Sequence, residues 1–536
     1  MLTERFLSHI SVKLRSTINQ TRPINKLPPE ILTDCFLYLV PYFPLTIGPT
    51  TNHNEWIRVT HVCKYWRVVA IGFSGLWNRI EFTRPEILEM YLERSRSIPL
   101  GVCMKHVGDQ FRRSVEFPSA CNDVMLNMLV PLGSQIRSLV IHNDRLPPGG
   151  FPEGLLPNLE TLSITSEVGW ENHSIVEPQT RLMALFNGTP PSPHHLFIPE
   201  CTPWPHNDFK GLKFLCLYNQ PDLEYELPEL LQMLRGSPDI EELYIRQYEC
   251  SEWLGDFPQN LGPTFQARSL KKLRLYGFST NAIVGILSTM QLQPNGVAVN
   301  ISDTEISKDT FAQIIPLFPP GCNLGRTEKL EVFHDSGGEF GIIFCGTGGS
   351  FKISGDDEWK ESAIPLFEYI YKECAQNLKE LGIHIFGDRG GGYVFDNFSC
   401  FNLEKLFLTG AKDVSDRLCE VLDPRTPGIR NLPAPRLTSL KIEGIQKQSQ
   451  LERLIALCEG RSETKHPLGE VSVCTSEDVP EWMTRLCDSA STPIHIHSQY
   501  KWKQMMELPM VCKEEDPDVW WPSWGEWIDN VSGYGD

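Results

Sequence analysis

The chain is short of several things, and each shortage removes a class of function. No stretch reaches the roughly 18 apolar residues that a membrane-spanning helix needs, and no apolar run with a small-residue cleavage site follows the start. A soluble protein of the cytoplasm or nucleus is the expectation. Basic residues are outnumbered, 49 Lys and Arg against 67 Asp and Glu, for a formal net charge of -18. A general nucleic-acid binder would carry a basic footprint, so neither nucleic acid nor a membrane is an expected partner. There is no CxxC pair among the 16 cysteines, which are spread singly from Cys35 to Cys512. Cys216, Cys374 and Cys458 fall inside apolar patterns, where cysteine behaves as a small apolar side chain, so reduced thiols are expected.

Signatures of catalysis are equally sparse. HDSGG at His334 to Gly338 lacks the flanking glycine and the separate histidine segment of a serine-protease site, and reads as a turn. GFSG at Gly72 to Gly75 lacks the fifth-position glycine of a nucleophile elbow, which leaves Ser74 as a helix cap. CGTGGS has neither the third glycine of a dinucleotide site nor the lysine of a phosphate loop, and reads as a hairpin turn. His194 and His195 sit in a proline-rich loop, His495 and His497 alternate along one strand face, and two histidines cannot close a metal site alone. The acid pairs Asp356/Asp357 and Glu514/Glu515 lie in polar runs and read as solvated. No metal, no cofactor and no catalytic group is expected.

The segment Lys26 to Trp77 is where information concentrates. KLPPEILTDCFLYLV has an extended lead-in, because a residue before proline avoids the α region, and Pro29 suits a first helical turn. Ile31, Leu32, Phe36, Leu39 and Val40 then recur at helical spacing, as do Val59, Val62, Cys63, Trp66, Val69 and Ala70. Two helices this short cannot bury both apolar faces in each other, so part of that surface needs another partner. The ordered combination LPPEIL, VCKYWR and LW resembles the F-box. The stretch YFPLTIGPTTNHNE between the two helices is longer than the compact F-box connection. An amphipathic EILEMYLERSRS and a following IPLGVCM extend the likeness to about residue 104, as in F-box proteins of the fungal type.

The resemblance implies a partner instead of a reaction: F-box segments dock on the Skp-type adaptor of cullin-RING ubiquitin ligases. The matching positions here are Leu27, Pro28, Ile31, Leu32, Cys63, Trp66, Leu76 and Trp77, with Glu30 as the acidic residue of the first turn, and some of these must be core. Residues 1–26 hold five basic residues against Glu4, a composition partly like a transit peptide. A solvated helix leading into the F-box is the preferred reading.

Beyond residue 100 a pattern LxxLxL recurs eight times, from Ile136, Leu159, Leu212, Ile240, Leu270, Leu378, Leu403 and Leu437. Helical patterns fill most intervals: LPELLQMLRG, NAIVGILSTM, FAQIIPLF, IPLFEYIYKECA and LERLIALCEG. A strand-helix unit cannot bury its apolar face alone and must stack on neighbours. The pattern resembles an irregular leucine-rich repeat, with a parallel-sheet α/β domain as the competing architecture. GIIFCGTGGSFKIS, a hairpin with Gly348 and Gly349 at its turn, interrupts the series.

The expected fold class is therefore α/β, with N-terminal all-α F-box helices followed by an irregular leucine-rich-repeat-like solenoid. The expected divisions are a leader at 1–21, the F-box at 22–82, the repeat array at 83–512 and an acidic tail at 513–536. In that tail Trp520, Trp521, Trp524 and Trp527 are expected to cap the array. The function implied is substrate receptor of an SCF-type ligase with an unknown protein target, or alternatively a scaffold whose F-box serves another complex.

Overall fold

The computed structural model describes residues 2–40, 55–81, 85–104, 129–142, 151–165, 185–187, 189–199, 209–220, 226–247, 260–293, 296–302, 308–318, 324–334, 340–346, 349–355, 369–385, 400–409, 412–426, 432–443, 445, 447–475, 479–490 and 492–498. The fold is mixed α/β with strands that are mostly parallel. The chain divides into two compact units, one holding the described residues up to Gln220 and the other those from Glu226 to Ser498. The acidic tail, the linker at 41–54, the pairs Asp356/Asp357 and Glu514/Glu515, and Gly348 lie outside the described residues.

The first unit opens with helices. The leader forms α1 (Leu2–Thr21), and a 3-10 turn (Pro23–Lys26) leads into α2 (Pro29–Leu37). Pro28 is extended, with φ -54° and ψ 150°, and Pro29 occupies the first turn, where no amide donor is missed. A second 3-10 segment (Glu55–His61) precedes α3 (Lys64–Gly72), which is capped by the extended Cys63 as its Sγ accepts the Trp66 amide at 3.5 Å. Ser74 does not cap a helix: it is the first residue of a 3-10 turn (Ser74–Trp77) whose N-cap is Phe73.

The wholly buried Trp77 ties these helices to the next one. Its Nε1 donates to the Ala70 carbonyl at 2.7 Å, and its ring meets Trp56 at 4.9 Å and Tyr91 at 5.1 Å in edge contacts. Tyr91 lies on α4 (Pro85–Ser95), which also brings Arg94 over the Trp77 ring at 4.3 Å. Between Trp77 and α4, residues 79–81, which fall inside the all-α F-box division expected at 22–82, form strand β1 (Arg79–Glu81). Strands β2 (Leu100–Met104), β3 (Ile136–His142), β4 (Thr161–Thr165), β5 (His195–Pro199) and β6 (Phe214–Gln220) come next, each parallel to the one before.

The second unit begins with α5 (Leu227–Arg235) and β7 (Glu242–Gln247), then β9 (Lys272–Tyr276), α6 (Thr280–Thr289) and β11 (Val297–Ser302). A small parallel pair, β8 (Phe265–Ala267) and β10 (Met290–Leu292), flanks this stretch. After α7 (Lys308–Ile314) the chain makes an antiparallel meander, β12 (Thr327–His334), β13 (Phe340–Gly346) and β14 (Gly349–Gly355). The meander is inserted backwards: β14 pairs with β11, and β12 pairs with β15 (Glu380–Ile385). Parallel progression then resumes through β16 (Lys405–Thr409), α8 (Lys412–Leu422), β17 (Ser439–Glu443), α9 (Gln448–Glu463), β18 (Glu470–Thr475), α10 (Glu481–Ser489) and β19 (Ile494–Ser498). Gly349, expected at a turn, is strand and pairs with Gly346.

Every apolar position of the eight LxxLxL matches is buried, with 4 % exposure or less. Strand registry stacks them into columns: Leu139 beside Leu162, Leu162 beside Leu196, and Leu196 beside Leu215 in the first unit. In the second, Leu243 meets Leu273, Leu381 meets Leu406, and Leu440 meets Val471. A buried Leu or Ile contributes about 1.5–3 kcal/mol of transfer free energy, so these columns form the dominant core.

Candidate functional site

Two surfaces carry side chains that packing alone does not explain. On the N-terminal helices the eight motif residues separate by burial. Leu32, Leu76 and Trp77 are core, at 1 % exposure or less. Leu27, Cys63 and Trp66 are half-buried, while Pro28 and Ile31 face outward, Ile31 at 48 %. Asn25 joins the half-buried group: its Oδ1 accepts from Trp66 Nε1 at 2.7 Å, and its Nδ2 donates to the Asn19 carbonyl at 2.6 Å. Tyr65 Oη donates to the Leu27 carbonyl at 2.7 Å, locking the LPP entry against α3. Besides Ile31, the exposed apolar residues of this helical segment include Leu37, Tyr38, Val62, Val68 and Ile71. Exposed apolar residues scattered singly need no explanation; these recur on or next to two short helices, α2 and α3.

The second surface is the face of the second unit's sheet opposite the leucine columns. Polar side chains there are buried to an unusual degree, including Lys272, Arg274, Asn300, Glu331, His384 and Thr409, all at 9 % exposure or less. Lys272 pairs with Glu242 at 3.0 Å, and burial raises Glu242 above the usual carboxylate range against the pull of Lys272. Glu380 accepts from both Lys329 and Lys405 at 3.1 Å; burial alone would raise it, yet the two lysines hold it below its ordinary value.

At the centre of this face an acid, an imidazole and a hydroxyl stand in order. His384 Nε2 lies 3.2 Å from Glu331 Oε1, and its Nδ1 is 3.0 Å from Thr409 Oγ1. Glu443 bonds the same hydroxyl, with burial raising its pKa against the opposing effects of Thr409 and His384. Gly382 makes this possible, because a Cβ there would meet His384 Nε2 at 3.1 Å and Glu331 Cγ at 3.2 Å. The order is that of a nucleophile-activating relay, but neither bonding nor access matches one: His384 Nε2 and Glu331 Oε1 do not hydrogen bond, and His384 is 0 % exposed. A relay needs its base within reach of a substrate proton, so the cluster reads as a polar tie across β12, β15, β16 and β17.

No model of a known protein family matches this chain, and no curated protein matches it.

The other candidates fall away from both surfaces. His194 is exposed, and His195, expected in a loop, opens β5 with its ring stacked on Phe214 at 4.3 Å. His495 and His497 are exposed on β19. His334 ends β12, while the rest of HDSGG lies outside the described residues. Among the described residues no three metal-ligating side chains cluster, and no helix is long and apolar enough to cross a membrane. The described cysteines are free thiols. Burial pushes Cys400 up to about 11 and Cys458 to about 12, far from the thiolate that reactivity needs. Sequence reasoning missed Asn25 and Trp56, whose spacing carries no signal, and it missed β18, where LGEVSV repeats the leucine pattern with valines.

Proposed function

We propose that this chain is a non-catalytic substrate receptor, in which F-box-like helices hold a Skp-type adaptor and a leucine-rich-repeat-like array holds a protein target for a cullin-RING ligase. The observation that carries the reading is the exposed apolar surface of α2 and α3. Leu32, Leu76 and Trp77 of the LPPEIL and LW segments are buried, Cys63 and Trp66 of VCKYWR are half-buried, and Ile31, Leu37, Tyr38, Val68 and Ile71 remain on the outside of the helical pair. For the array, the support is strand order. From β1 to β6 and from β15 to β19 each strand is parallel to its predecessor and adjacent to it, whereas a doubly wound domain reverses its order at a switch point. Such a receptor acts as a tether, raising the local concentration of target lysines near a ubiquitin-charged enzyme without contributing a reacting group.

The test is calorimetric titration of the full-length chain with purified Skp-type adaptor. Ile31→Asp with Val68→Asp alters exposed positions only, so the melting temperature should hold while affinity falls about tenfold or more. Trp77 is unsuitable for this purpose, being buried. Unchanged affinity in the folded double variant would remove the adaptor reading.

A further inference from the structure

One corner of the second unit's sheet face combines cations and aromatic rings. On β7 and β9, Tyr244 stands beside Arg274 and Arg246 beside Tyr276. Each guanidinium lies over the tyrosine of the other strand, Arg274 at 5.1 Å from Tyr244 and Arg246 at 4.4 Å from Tyr276. The row continues from Arg274 to Asn300 on β11 and from Asn300 to Lys352 on β14. Lys352 in turn reaches over Phe333 at 5.2 Å.

Arg274 is the decisive residue. It is 9 % exposed, and its buried Nε meets no acceptor among the described residues. Stacking on Tyr244 gives a cation partial support, but a guanidinium has five donors, and a buried charge left without an anion is costly. Arg461 shows the structural use of such a group. Wholly buried on α9, with its Nη1 unbonded among the described residues, it still donates to the His466 carbonyl at 3.1 Å and the Ala434 carbonyl at 2.9 Å, pinning two loops. Arg274 pins nothing of that kind among the described residues. On the same face Ser354 is also wholly buried, with its Oγ unbonded among the described residues. On the adjoining row Glu242 stands beside Lys272 and is engaged by that lysine.

We propose that this corner binds an anionic group carried on a peptide, with Arg274 as principal donor, Arg246 and Lys352 as flanking charge, and Tyr244 and Tyr276 as walls. The inference rests on the receptor reading and names the class of target it would take: a segment presenting a carboxylate or a phosphate. Arginine's planar fork matches either group, and charge complementarity favours an acidic partner at this basic-aromatic place on a chain of net charge -18.

The test retains degenerate peptide pools on immobilised full-length protein, with a fixed central phosphoserine, glutamate or serine. At least one anionic pool should be held about tenfold better than the serine pool, the step set by roughly one charge-assisted bidentate contact. Arg274→Gln should abolish that preference, and Arg436→Gln, an exposed arginine elsewhere in the unit, should leave it intact. Preference for phosphoserine alone assigns the site to phosphate; equal retention of both anionic pools shows that a carboxylate suffices. Equal retention of all three pools, or an unaltered preference in Arg274→Gln, overturns the proposal. If Arg274→Gln does not fold, the double variant Arg246→Gln with Lys352→Gln decides in the same way. Adaptor affinity measured on the same preparations separates the two readings: its loss would remove the ligase assignment and leave the anion site standing.

Discussion

The meander β12–β13–β14 and the parallel run β15–β19 solve one packing problem in two ways. In the parallel run, Leu381, Leu406, Leu440, Val471 and Ile494 stand side by side across five strands. In the meander the chain reverses, yet Phe344 on β13 still stands between Leu330 and Phe351, and Ile342 between Val332 and Ile353. Side chains alternate with a period of two whichever way a strand runs, so the column survives a change of direction. The opposite face does not survive it unchanged. There Phe333, Ile343 and Cys345 form a separate buried apolar cluster, whereas the parallel run carries His384, Thr409, Lys441 and Glu443. Continuity of the core is thus independent of direction, while the chemistry of the other face is local to each strand.

The largest effects should come from cutting the column in each region. Phe344→Ala in the meander and Leu440→Ala in the parallel run should each cost about 2–5 kcal/mol in denaturant unfolding. A much smaller cost for Phe344 would show that the reversed strand is peripheral to the core.

Next come two glycines. A Cβ at Gly341 would lie 2.2 Å from the Phe333 ring, while one at Gly469 would meet nothing nearer than the Thr438 carbonyl at 3.6 Å. Gly341→Ala should therefore destabilise by about 1–3 kcal/mol through overpacking, and Gly469→Ala should change the melt little. Equal effects would erase the contrast between the crowded meander and the open run.

Smaller effects are expected from two carboxylates of opposite tendency. Glu380 is held below its ordinary value, so its native contribution is present above the unfolded carboxylate pKa and fades as pH falls through the folded one. Glu443 is raised, so the native state keeps its proton longer than the unfolded chain does. Stability therefore falls as pH rises from the ordinary carboxylate value through the raised one. Thermal melts from acid to neutral pH should lose the first trend in Glu380→Gln and the second in Glu443→Gln. The Glu380 substitution should cost no more than about 1 kcal/mol near neutrality, since its lysine partners are partly exposed.

The leucine columns were legible because a buried strand face demands apolar side chains at fixed spacing, and all eight matches occupy such faces. Units with other apolar residues were not: Leu468, Val471 and Val473 do the same work in β18, and the buried Thr327 opens β12 where the repeat pattern would place a leucine. The reversal of β13 was legible as a hairpin but not as a change of strand order, because alternation is blind to direction. On the second face, burial of Lys272, Arg274, Glu331 and His384 left no trace in sequence, since a charged residue in an alternating strand reads as solvated until its neighbours are known. The helical pair was legible through its prolines and tryptophans, but the part of Asn25, which depends on contacts across 41 residues, was not.

The backward insertion of the meander also bears on how the unit can assemble. When β12 emerges, its place beside β11 is reserved for β14, so the strand cannot simply dock on its predecessor. Local hairpins close in roughly 1–10 μs, much faster than distant strands find each other, which favours assembly of β12, β13 and β14 as a unit before either side joins. β12 gives one edge to β13 and the other to β15, from which the parallel run continues. The meander is in this sense a splice: β12 carries an antiparallel neighbour on one edge and a parallel one on the other.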